Sequence, residues 1–395
     1  MNVLIFSKLF YPHGSGAELA TWLHSKLLAQ NGFKIAVITK QFPNEPSTEL
    51  PAENISIHRI PMKFFGSRYD TLANIGIMGK SFISRLIAQS DLVYVPTDWY
   101  SAIPTAKIHR KPVLVHLHNY SIISPSSLIY DFCDGQADAS SLRSYLLHEM
   151  IEKERSGFQV AASASMNEVL GRHYHSLGAY ADALIFVSRA QMKIVLEKIP
   201  QLKQKSYMIY NPIPDEPFVE ARKKGVGYFG GKSIVKGFHV LVKALKSLKV
   251  NDMEAYLTMT STTHKVQKLG NAVQLNLMPR TQLRTLMNNI TLVVIPAICP
   301  EPLPYVLVEC MLHGKLIVAS NIGGIPEIAG QAEPGVKLVK PGDSRDIADA
   351  VSSFWQLNLD EANHLGFGNR ESVLQKLDND KAVRSLIQVI DKVCV

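Results

Sequence analysis

The strongest constraint on the fold is a pattern in which short, apolar, β-branched segments alternate with longer segments of helical period, and it occurs in both halves of the chain. Such alternation is typical of parallel sheets covered by helices. It predicts strands at Val3–Phe6, Ile35–Thr39, Ile55–Arg59, Asp91–Val95, Val113–Leu117, Ala183–Val187, Tyr207–Ile209, Val226–Phe229, Ala255–Thr260, Val273–Leu277, Leu292–Pro296, Ile317–Ser320 and Val336–Val339. It predicts helices at Ala17–Ala29, Thr71–Ala88, Leu142–Leu170, Phe238–Leu248, Val306–His313, Asp343–Trp355 and Asp378–Lys392.

A proline-rich segment separates the two halves. Asn211–Pro217 holds three prolines in seven residues, and proline continues neither a helix interior nor a central strand. We therefore predict an α/β protein with two doubly wound parallel-sheet domains that face each other across a cleft. We expect the N-terminal domain at residues 1–212, the linker at 213–224 and the C-terminal domain at 225–375. A last helix within 376–395 could return to the N-terminal domain.

The charge of the chain is moderate and diffuse. Its 395 residues include 42 basic and 34 acidic side chains, for a formal net charge of +8, without a run of Lys or Arg. A nucleic-acid-binding tail is therefore not indicated, whereas phosphorylated small molecules or an anionic membrane surface would suit this charge. No segment approaches the roughly 18 uncharged apolar residues of a membrane-spanning helix.

The first residues and the cysteines favour a cytoplasmic protein. The start of the chain lacks the basic region of a secretory signal, and the four cysteines share no metal-ligand spacing. Arg59–Tyr69 mixes cations with aromatic residues, as segments at a membrane surface do. Contact with the cytoplasmic face of a membrane is one interpretation of this segment, and ordinary loop packing is the one that we favour.

Two loops in the first half follow predicted strands and could approach a ligand. In Pro12–Glu18, Gly16 would let backbone amides reach an anion at a helix N-terminus, although a tight turn explains the loop equally well. His116 and His118 lie at the carboxyl end of Val113–Leu117, where ligands of open α/β sheets bind. Strand alternation places both histidines on one face. We assign His118 a functional and His116 a structural role, and we expect no metal there because no third ligand is evident.

The second half holds a candidate phosphate loop and an acidic helix. Gly230–Gly237 follows a predicted strand and opens a helix, and Lys232 and Lys236 would supply charge for a phosphate, although the spacing of a P-loop is absent. Within Val306–Leu312 every residue except Glu309 is apolar, which indicates a buried helix. A lone carboxylate there requires hydrogen-bond donors, and the hydroxyls of a ribose would supply them.

Together these motifs resemble those of the retaining glycosyltransferases of family 4, which have the GT-B fold. Glu301 and Glu309 resemble the two glutamates of the family's E-x7-E motif. The other similar segments occur in the family's order: Gly14–Glu18, Leu117–Tyr120, Phe186–Ala190, Tyr210–Pro212, Gly230–Gly237, Gly323–Glu327 and Pro341–Asp343. The resemblance covers nearly the whole chain.

The resemblance implies a donor site for a nucleotide diphosphate sugar carrying UDP, GDP or ADP. Lys236 would neutralise the β-phosphate, with Lys232 near it. Backbone amides at the N-terminus of the acidic helix would cap the diphosphate, and Glu309 would bind the ribose. The implied nucleotide and phosphate contacts are Gly16, Gly231, Lys232, Lys236, Tyr305, Val306 and Glu309.

The resemblance also implies a reaction. A hexosyl group would move to a glycan, a lipid-linked or a small-molecule acceptor with retention of configuration, with His118, Lys236 and Glu301 as the catalytic set. His118 and Glu301 would contact the transferred sugar. Front-face attack is favoured over a covalent intermediate, because no carboxylate nucleophile is evident beside His118. Neither a cofactor nor a metal ion is expected, since lysines and helix dipoles would neutralise the diphosphate.

Two positions depart from the family's pattern. Gly231 stands where an arginine is usual, five residues before Lys236, and Leu303-Pro304 replaces Phe-Gly, so that Pro304 supplies no N–H. These departures keep open a nucleotide-sugar-binding protein or partner subunit without catalytic activity. A nucleotide-sugar epimerase of GT-B type is a third interpretation. Ser121–Gly171 is expected to help define the acceptor site.

Overall fold

The computed structural model describes residues 1–63, 75–96, 99–124, 127–129, 150, 156–248, 253–259, 268–269, 272–276, 285–330 and 334–394. Two sheets dominate these residues, one in each half of the chain, and helices cover both faces of each sheet. The predicted α/β architecture with two doubly wound sheets is therefore confirmed.

The first sheet has eight strands within the described ranges, in the spatial order β3-β4-β2-β1-β5-β6-β7-β8. Neighbouring strands are parallel except for β3 and β4. The strand order runs outwards from β1 in both directions, which opens a crevice at the carboxyl ends of β1 and β5. The strands are β1 (Asn2–Phe6), β2 (Lys34–Lys40), β3 (Thr48–Ala52), β4 (Ile55–Ile60), β5 (Leu92–Val95), β6 (Val113–Leu117), β7 (Ala183–Phe186) and β8 (Ser206–Met208).

The second sheet repeats this arrangement with seven strands in the part of the chain that is described, in the order β11-β12-β10-β9-β13-β14-β15. Here only β11 and β12 pair in the antiparallel sense. The order reverses between β9 and β13, which creates a second crevice at their carboxyl ends. The strands are β9 (Val226–Tyr228), β10 (Ala255–Met259), β11 (Lys268–Leu269), β12 (Ala272–Asn276), β13 (Leu292–Ile295), β14 (Leu316–Ser320) and β15 (Val336–Val339).

The helices pack on the sheets with their apolar faces. In the first domain α1 (Gly16–Gln30) covers one face, and α2 (Ser81–Gln89), α3 (Ala102–Ile108), α4 (Gly157–Ala179) and α5 (Arg189–Lys198) cover the other. The second domain has α6 (Phe238–Ser247) and α9 (Ser344–Trp355) on one face and α7 (Tyr305–Leu312), α8 (Ile325–Ala329) and part of α10 (Leu359–Lys376) on the other. None of the helices in the described ranges is long and apolar enough to cross a bilayer.

The predicted strands are confirmed to within one residue at each end that the structure describes. The pattern misses β3 and β11, because both are antiparallel edge strands and β3 contains Pro51 and exposed side chains, which mask its period. It also misses α10, whose Gly366 and Gly368 lower helix propensity. A Cβ at Gly366 would lie 2.0 Å from the carbonyl oxygen of Gly314, so the close packing of α10 requires glycine there.

Several predictions of helices and surfaces fall partly outside the described residues. Of the predicted helix over 71–88, the structure describes a 3-10 turn at Ile75–Gly79 and then α2. Most of 142–155 lies outside the described residues, and α4 then runs from residue 157 to 179, beyond the predicted end at 170. The segment suggested for a membrane surface lies outside from residue 64 onwards, as does much of the 121–171 stretch.

The proline-rich linker is held by side chains of the second domain. Asn363 bonds both the N–H and the C=O of Ala221, each at 3.0 Å, and Lys315 donates to the carbonyl of Val219 at 2.6 Å. Arg370 donates to the carbonyl of Glu216 at 2.8 Å. Because a segment with so many prolines pairs poorly in a sheet, these side chains satisfy its peptide groups instead.

The last helix, α11 (Asn379–Val393), packs on the first domain. Its Val383, Leu386 and Ile390 lie in the apolar core that contains Val3 and Ile5 of β1. Asn379 bonds both the N–H of Ile213, at 2.7 Å, and its C=O, at 3.0 Å. The chain therefore passes between the domains twice, and the two passages are hydrogen-bonded to each other.

Candidate active site

The carboxyl ends of the two sheets meet in the cleft between the domains. Loops and helix N-termini after β1, β6 and β7 approach loops and helices after β9, β13 and β14. Direct contacts across the cleft join Gly16 to Tyr305, Leu128 to Cys299 and Ala190 to Glu327.

Gly16 begins α1 and lies against the first residue of α7. A Cβ at Gly16 would lie 3.1 Å from Cδ2 of Tyr305, and Leu19 and Ala20 pack on the same ring. The Tyr305 hydroxyl donates to the carbonyl of Pro212 at 2.6 Å. Two helix N-termini, which favour anions, thus meet in the cleft.

Glu18 already occupies part of the N-terminus of α1. Its carboxylate accepts the backbone N–H of Ser15 at 2.6 Å and folds over Gly14, whose added Cβ would lie 2.4 Å from Cγ of Glu18. This capping box supports the turn interpretation of the loop. A phosphate contact through Gly16 stays a prediction, and an anion there would compete with the Glu18 carboxylate.

Lys236 and Glu301 form the central ion pair of the site. The Lys236 Nζ atom lies 2.7 Å from Oε1 of Glu301, with 41% of the lysine side chain and 10% of the glutamate side chain exposed. Burial disfavours the charged lysine, but the Glu301 carboxylate outweighs it and raises the pKa of Lys236. The structure therefore brings together two of the three residues in the predicted catalytic set.

Glycines fix the backbone on both sides of this pair. Gly237 ends the phosphate loop with φ of 74°, and a Cβ there would lie 1.8 Å from the carbonyl oxygen of Pro296. Gly323 has φ of 59°, and its Cβ would lie 2.5 Å from the carbonyl oxygen of Glu301. Gly324 donates its N–H to the same oxygen at 2.8 Å. The close approach at Gly323-Gly324 is thus an approach to the backbone of Glu301.

The other phosphate-loop residues differ in their exposure. Gly231, with φ of 67°, is buried, and its carbonyl accepts the Tyr228 hydroxyl at 2.9 Å. Lys232 is exposed and makes no ion pair with the described residues. The loop therefore offers one lysine held by Glu301 and one free to turn towards a ligand.

The acidic helix is buried as predicted, apart from one edge. In α7, Val306 and Glu309 are half-buried, whereas every other residue of the helix is buried. Residues three apart lie on the same helix face, so Val306 and Glu309 share the accessible edge. Pro304 is extended and precedes the helix as its N-cap. The assignments of Tyr305, Val306 and Glu309 to a nucleotide stay predictions.

His118 belongs to a cluster of three histidines. Its ring lies 4.4 Å from that of His116, which confirms that both project from one face, and the ring of His24 on α1 lies 5.0 Å from His116. The Tyr94 hydroxyl bonds Nδ1 of His116 at 2.6 Å, and Asn211 of the interdomain segment lies 3.5 Å from Nδ1 of His118.

The three histidines of this cluster are uncharged at neutral pH. Burial is the main cause that lowers the pKa of both His24 and His118 to about 3 and the pKa of His116 well below its usual value. His118 can therefore hydrogen-bond a sugar as a neutral imidazole. Within the described ranges, no three His, Cys, Asp or Glu side chains are arranged to hold a metal ion.

Comparison with known proteins identifies the architecture. Residues 223–356 match the family model of glycosyl transferases group 1. Sucrose-phosphate synthase of Thermosynechococcus elongatus superposes with a TM-score of 0.70 at 15% identity, over 99% of this chain and 98% of that chain. HepE of Anabaena, in complex with UDP-glucose, has a TM-score of 0.70 at 18% identity, over 99% of this chain and 100% of its own. The fold is GT-B.

Of two relatives in sequence, one is a named synthase and the other is uncharacterized. An α-maltose-1-phosphate synthase of Mycolicibacterium smegmatis is 24% identical over 249 residues, which cover 54% of this chain and 64% of that protein. An uncharacterized 42.6 kDa protein in the cps region of Klebsiella pneumoniae is 19% identical over 378 residues, or 92% of this chain and 95% of that protein. Together with the group 1 match, the GT-B fold supports a glycosyltransferase.

Sequence reasoning missed two residues of this GT-B chain that lie near His118, one packed against His116 and one bonded to the His118 loop. His24 lies one helical turn from Ala20 and Thr21 and another from Leu28, all buried, so its place on a buried face of α1 was the available signal. Gln191 on α5 donates to the carbonyls of Leu117, at 2.8 Å, and Asn119, at 3.1 Å. No local sequence signal marks this role of Gln191.

Glu327 was noted as part of a motif but without a role. It follows the two glycines that pack on Glu301, and it accepts the backbone N–H groups of Arg189 at 3.0 Å and Ala190 at 2.6 Å. The Tyr210 hydroxyl also donates to it, at 3.1 Å. Burial, together with the Glu327 carboxylate, raises the pKa of Tyr210 to about 12, so the tyrosine remains a donor.

Proposed function

We propose that the chain transfers a hexosyl group from a nucleotide diphosphate sugar to a glycan, lipid-linked or small-molecule acceptor, with retention of configuration and without a bound metal ion or cofactor. The observation that carries the proposal is the pairing of Lys236 with Glu301, at 2.7 Å, in the cleft of a GT-B fold.

Lys236 suits the diphosphate and Glu301 suits the sugar, the two groups joined by the bond that breaks. A diphosphate bound at the Lys236 ammonium would place the attached sugar beside the Glu301 carboxylate, which accepts hydrogen bonds from hydroxyls. Lys232 would approach the phosphates from the exposed side of the loop, and the N-terminus of α7 would add its dipole. The accessible edge of α7 presents Glu309, which supports a ribose contact.

The proposed chemistry rests on charge stabilisation. The bond between the anomeric carbon and the phosphate oxygen breaks. Lys236 and the N-terminus of α7 stabilise the negative charge that develops on the departing diphosphate. The acceptor hydroxyl attacks the same face of the sugar and transfers its proton to a departing phosphate oxygen. His118, neutral because burial lowers its pKa to about 3, would bind the sugar as a hydrogen-bonding group.

UDP-glucose is the donor to examine first. The similar HepE of Anabaena has been crystallised with UDP-glucose, with UDP and glucose, and with UDP. Wild-type protein should be titrated with UDP, GDP and ADP and with their glucose or mannose conjugates by calorimetry and thermal shift. A ligand at about 100 times its Kd adds about 2.7 kcal/mol to the free energy of unfolding, which a thermal shift resolves.

The decisive variant is Lys236→Ala, with Lys243→Ala as the control. Lys243 is an exposed lysine on α6, so its replacement removes the same charge away from the cleft. We expect Lys236→Ala to lower turnover by about 10²-fold or more, and Lys243→Ala to leave it unchanged. Activity of Lys236→Ala within a few-fold of wild type would contradict the phosphate role.

The product distinguishes the proposal from its rivals. A retained anomeric configuration supports it, whereas an inverted linkage would reject the mechanism. Nucleotide binding without transfer to any acceptor would indicate a binding subunit, and conversion of the sugar without stoichiometric release of nucleoside diphosphate would indicate an epimerase.

A further inference from the structure

The hydroxyl of Tyr120, in the loop that follows β6 at the cleft, is buried without a hydrogen bond to the residues that the structure describes. Tyr120 lies in the loop after β6, two residues beyond His118, and is 1% exposed. Its oxygen has no partner among the described residues. Buried tyrosine hydroxyls usually find a partner, so an unpaired one calls for an explanation.

Other tyrosines of the site follow the usual rule. Tyr94 bonds His116, Tyr100 bonds Ser121 at 2.9 Å, Tyr228 bonds Gly231 and Tyr305 bonds Pro212. The fold thus supplies partners to the hydroxyls whose role is structural. A phenylalanine would fill the place of Tyr120 with the same ring and without the unpaired oxygen.

The surroundings of Tyr120 come from both domains. The carboxylates of Glu301 and Glu327 and the thiol of Cys299 lie near enough to raise its pKa further, after burial, which is the main cause. Leu128, from the same stretch of the first domain, packs on Val235 and Cys299 of the second. The phenol therefore remains protonated, in a loop that packs against the second domain, which carries the carboxylate proposed to hold the sugar.

We propose that the Tyr120 hydroxyl donates a hydrogen bond to a hydroxyl of the transferred sugar, opposite Glu301, and thereby selects the sugar. This inference rests on the proposed function. Glu301 is an acceptor from the second domain and Tyr120 a donor from the first, so a sugar bonded to both joins the two domains. A site that contains a buried polar group discriminates strongly against analogues that lack its partner.

The test is Tyr120→Phe, examined by calorimetry with a nucleotide and its sugar conjugate. The probes are UDP with UDP-glucose, GDP with GDP-mannose and ADP with ADP-glucose, and the pair that wild type binds is used. We expect unchanged affinity for the nucleotide and affinity for the sugar conjugate lowered by about tenfold. Wild type should bind one deoxy analogue of the donor about tenfold more weakly than it binds the donor itself. Tyr120→Phe should not weaken the binding of that analogue any further.

Stability provides the structural control. Tyr120→Phe removes an unpaired oxygen, so we expect its thermal midpoint to equal or exceed that of wild type. Tyr100→Phe removes a paired hydroxyl and should lower the midpoint. A lowered midpoint for Tyr120→Phe, with equal weakening of both ligands, would make Tyr120 a structural residue and overturn the inference.

The remaining outcomes show whether Tyr120 bonds a hydroxyl of the transferred sugar, a hydroxyl of the acceptor, or neither. Unchanged affinity for the sugar conjugate together with a raised KM for the acceptor alone would assign the contact to the acceptor and overturn the inference. Unchanged values for donor and acceptor would overturn it as well. If wild type binds none of the six probes, the proposed function fails, and the inference fails with it. Nucleotide and conjugate binding by wild type, with no effect of Tyr120→Phe, rejects only the inference.

Discussion

The carboxylate of Glu327 accepts the backbone N–H of Ala190 at 2.6 Å, so a side chain of the second domain caps a helix of the first. The first N–H groups of a helix have no partner within it, and a carboxylate there also suits the helix dipole. The capped helix, α5, carries Gln191, which holds the carbonyls of Leu117 and Asn119. The relative position of the domains is thereby linked to the loop that carries His118.

Replacement of Glu327 should loosen this link. We expect Glu327→Ala to expose the first amides of α5, Arg189 and Ala190, and to lower the free energy of unfolding by about 0.5–2 kcal/mol, the usual cost of a lost cap. Hydrogen exchange of these amides should accelerate in the variant. Glu371→Ala, at an exposed position of α10, is the matched control and should leave their exchange unchanged. Equal exchange in both variants would contradict the capping role.

The contact between Gly16 and Tyr305 should limit substitution at Gly16. In Gly16→Ala the new Cβ would lie 3.1 Å from the tyrosine ring, which a small shift can relieve, whereas the branched side chain in Gly16→Val would force the helices apart. We expect turnover to fall modestly for the first and by about 10²-fold for the second, as for displacements near 1 Å. Gly368→Ala, where a Cβ meets nothing within 4 Å, should leave turnover unchanged. Wild-type turnover of Gly16→Val would show that this approach is not needed.

The cluster of His24, His116 and His118 should make stability depend on pH. Their pKa values in the folded protein lie well below the unfolded value near 6.5, at about 3 for His24 and His118. Below pH 6.5 the unfolded chain binds protons that the folded chain does not, so the free energy of unfolding falls as the pH decreases towards 3. Each histidine contributes a slope of about 1.4 kcal/mol per pH unit in this window and none above it.

Chemical denaturation between pH 4 and pH 8 measures this slope. His24→Leu should reduce the slope below pH 6.5 by about 1.4 kcal/mol per unit, whereas His364→Leu, at an exposed position of α10, should retain it. Identical slopes in wild type and His24→Leu would mean that His24 is protonated in the folded state.

The stability of the folded chain should depend on the side chains that hydrogen-bond the backbone of the linker. Asn363→Ala removes both hydrogen bonds to Ala221 and leaves a buried N–H and C=O unpaired, which we expect to lower the free energy of unfolding by about 1–3 kcal/mol. Urea denaturation measures the change, with His364→Ala, at the adjacent exposed position, as the control. A loss below 0.5 kcal/mol would show that water replaces the amide.

Local sequence was sufficient for the parallel strands and for part of the site, but not for the antiparallel edge strands β3 and β11. Runs such as Val113–Leu117 are buried on both faces, so their β-branched composition marks them without tertiary information. Lys236 and Glu301 were recognisable because they belong to motifs, each within a short segment. The capping of Ala190 by Glu327 was not recognisable from the sequence, because the two residues are 137 positions apart. A carboxylate after a pair of glycines also occurs in many surface turns. The contact of His24 with His116 was equally hidden, since it depends on how α1 packs against β6.

The two hydrogen bonds between Asn379 and Ile213 join the two passages of the chain at one point, the pivot about which the domains would rotate. A rotation of one domain about this point would displace each atom in proportion to its distance from it. Tyr305, whose hydroxyl is tied to the neighbouring Pro212, lies close to the pivot and would scarcely move. The part of the cleft near Tyr305 would thus keep its structure while the parts farther from the pivot move. A donor would then bind near Tyr305 before the more distant parts of the cleft close over the acceptor.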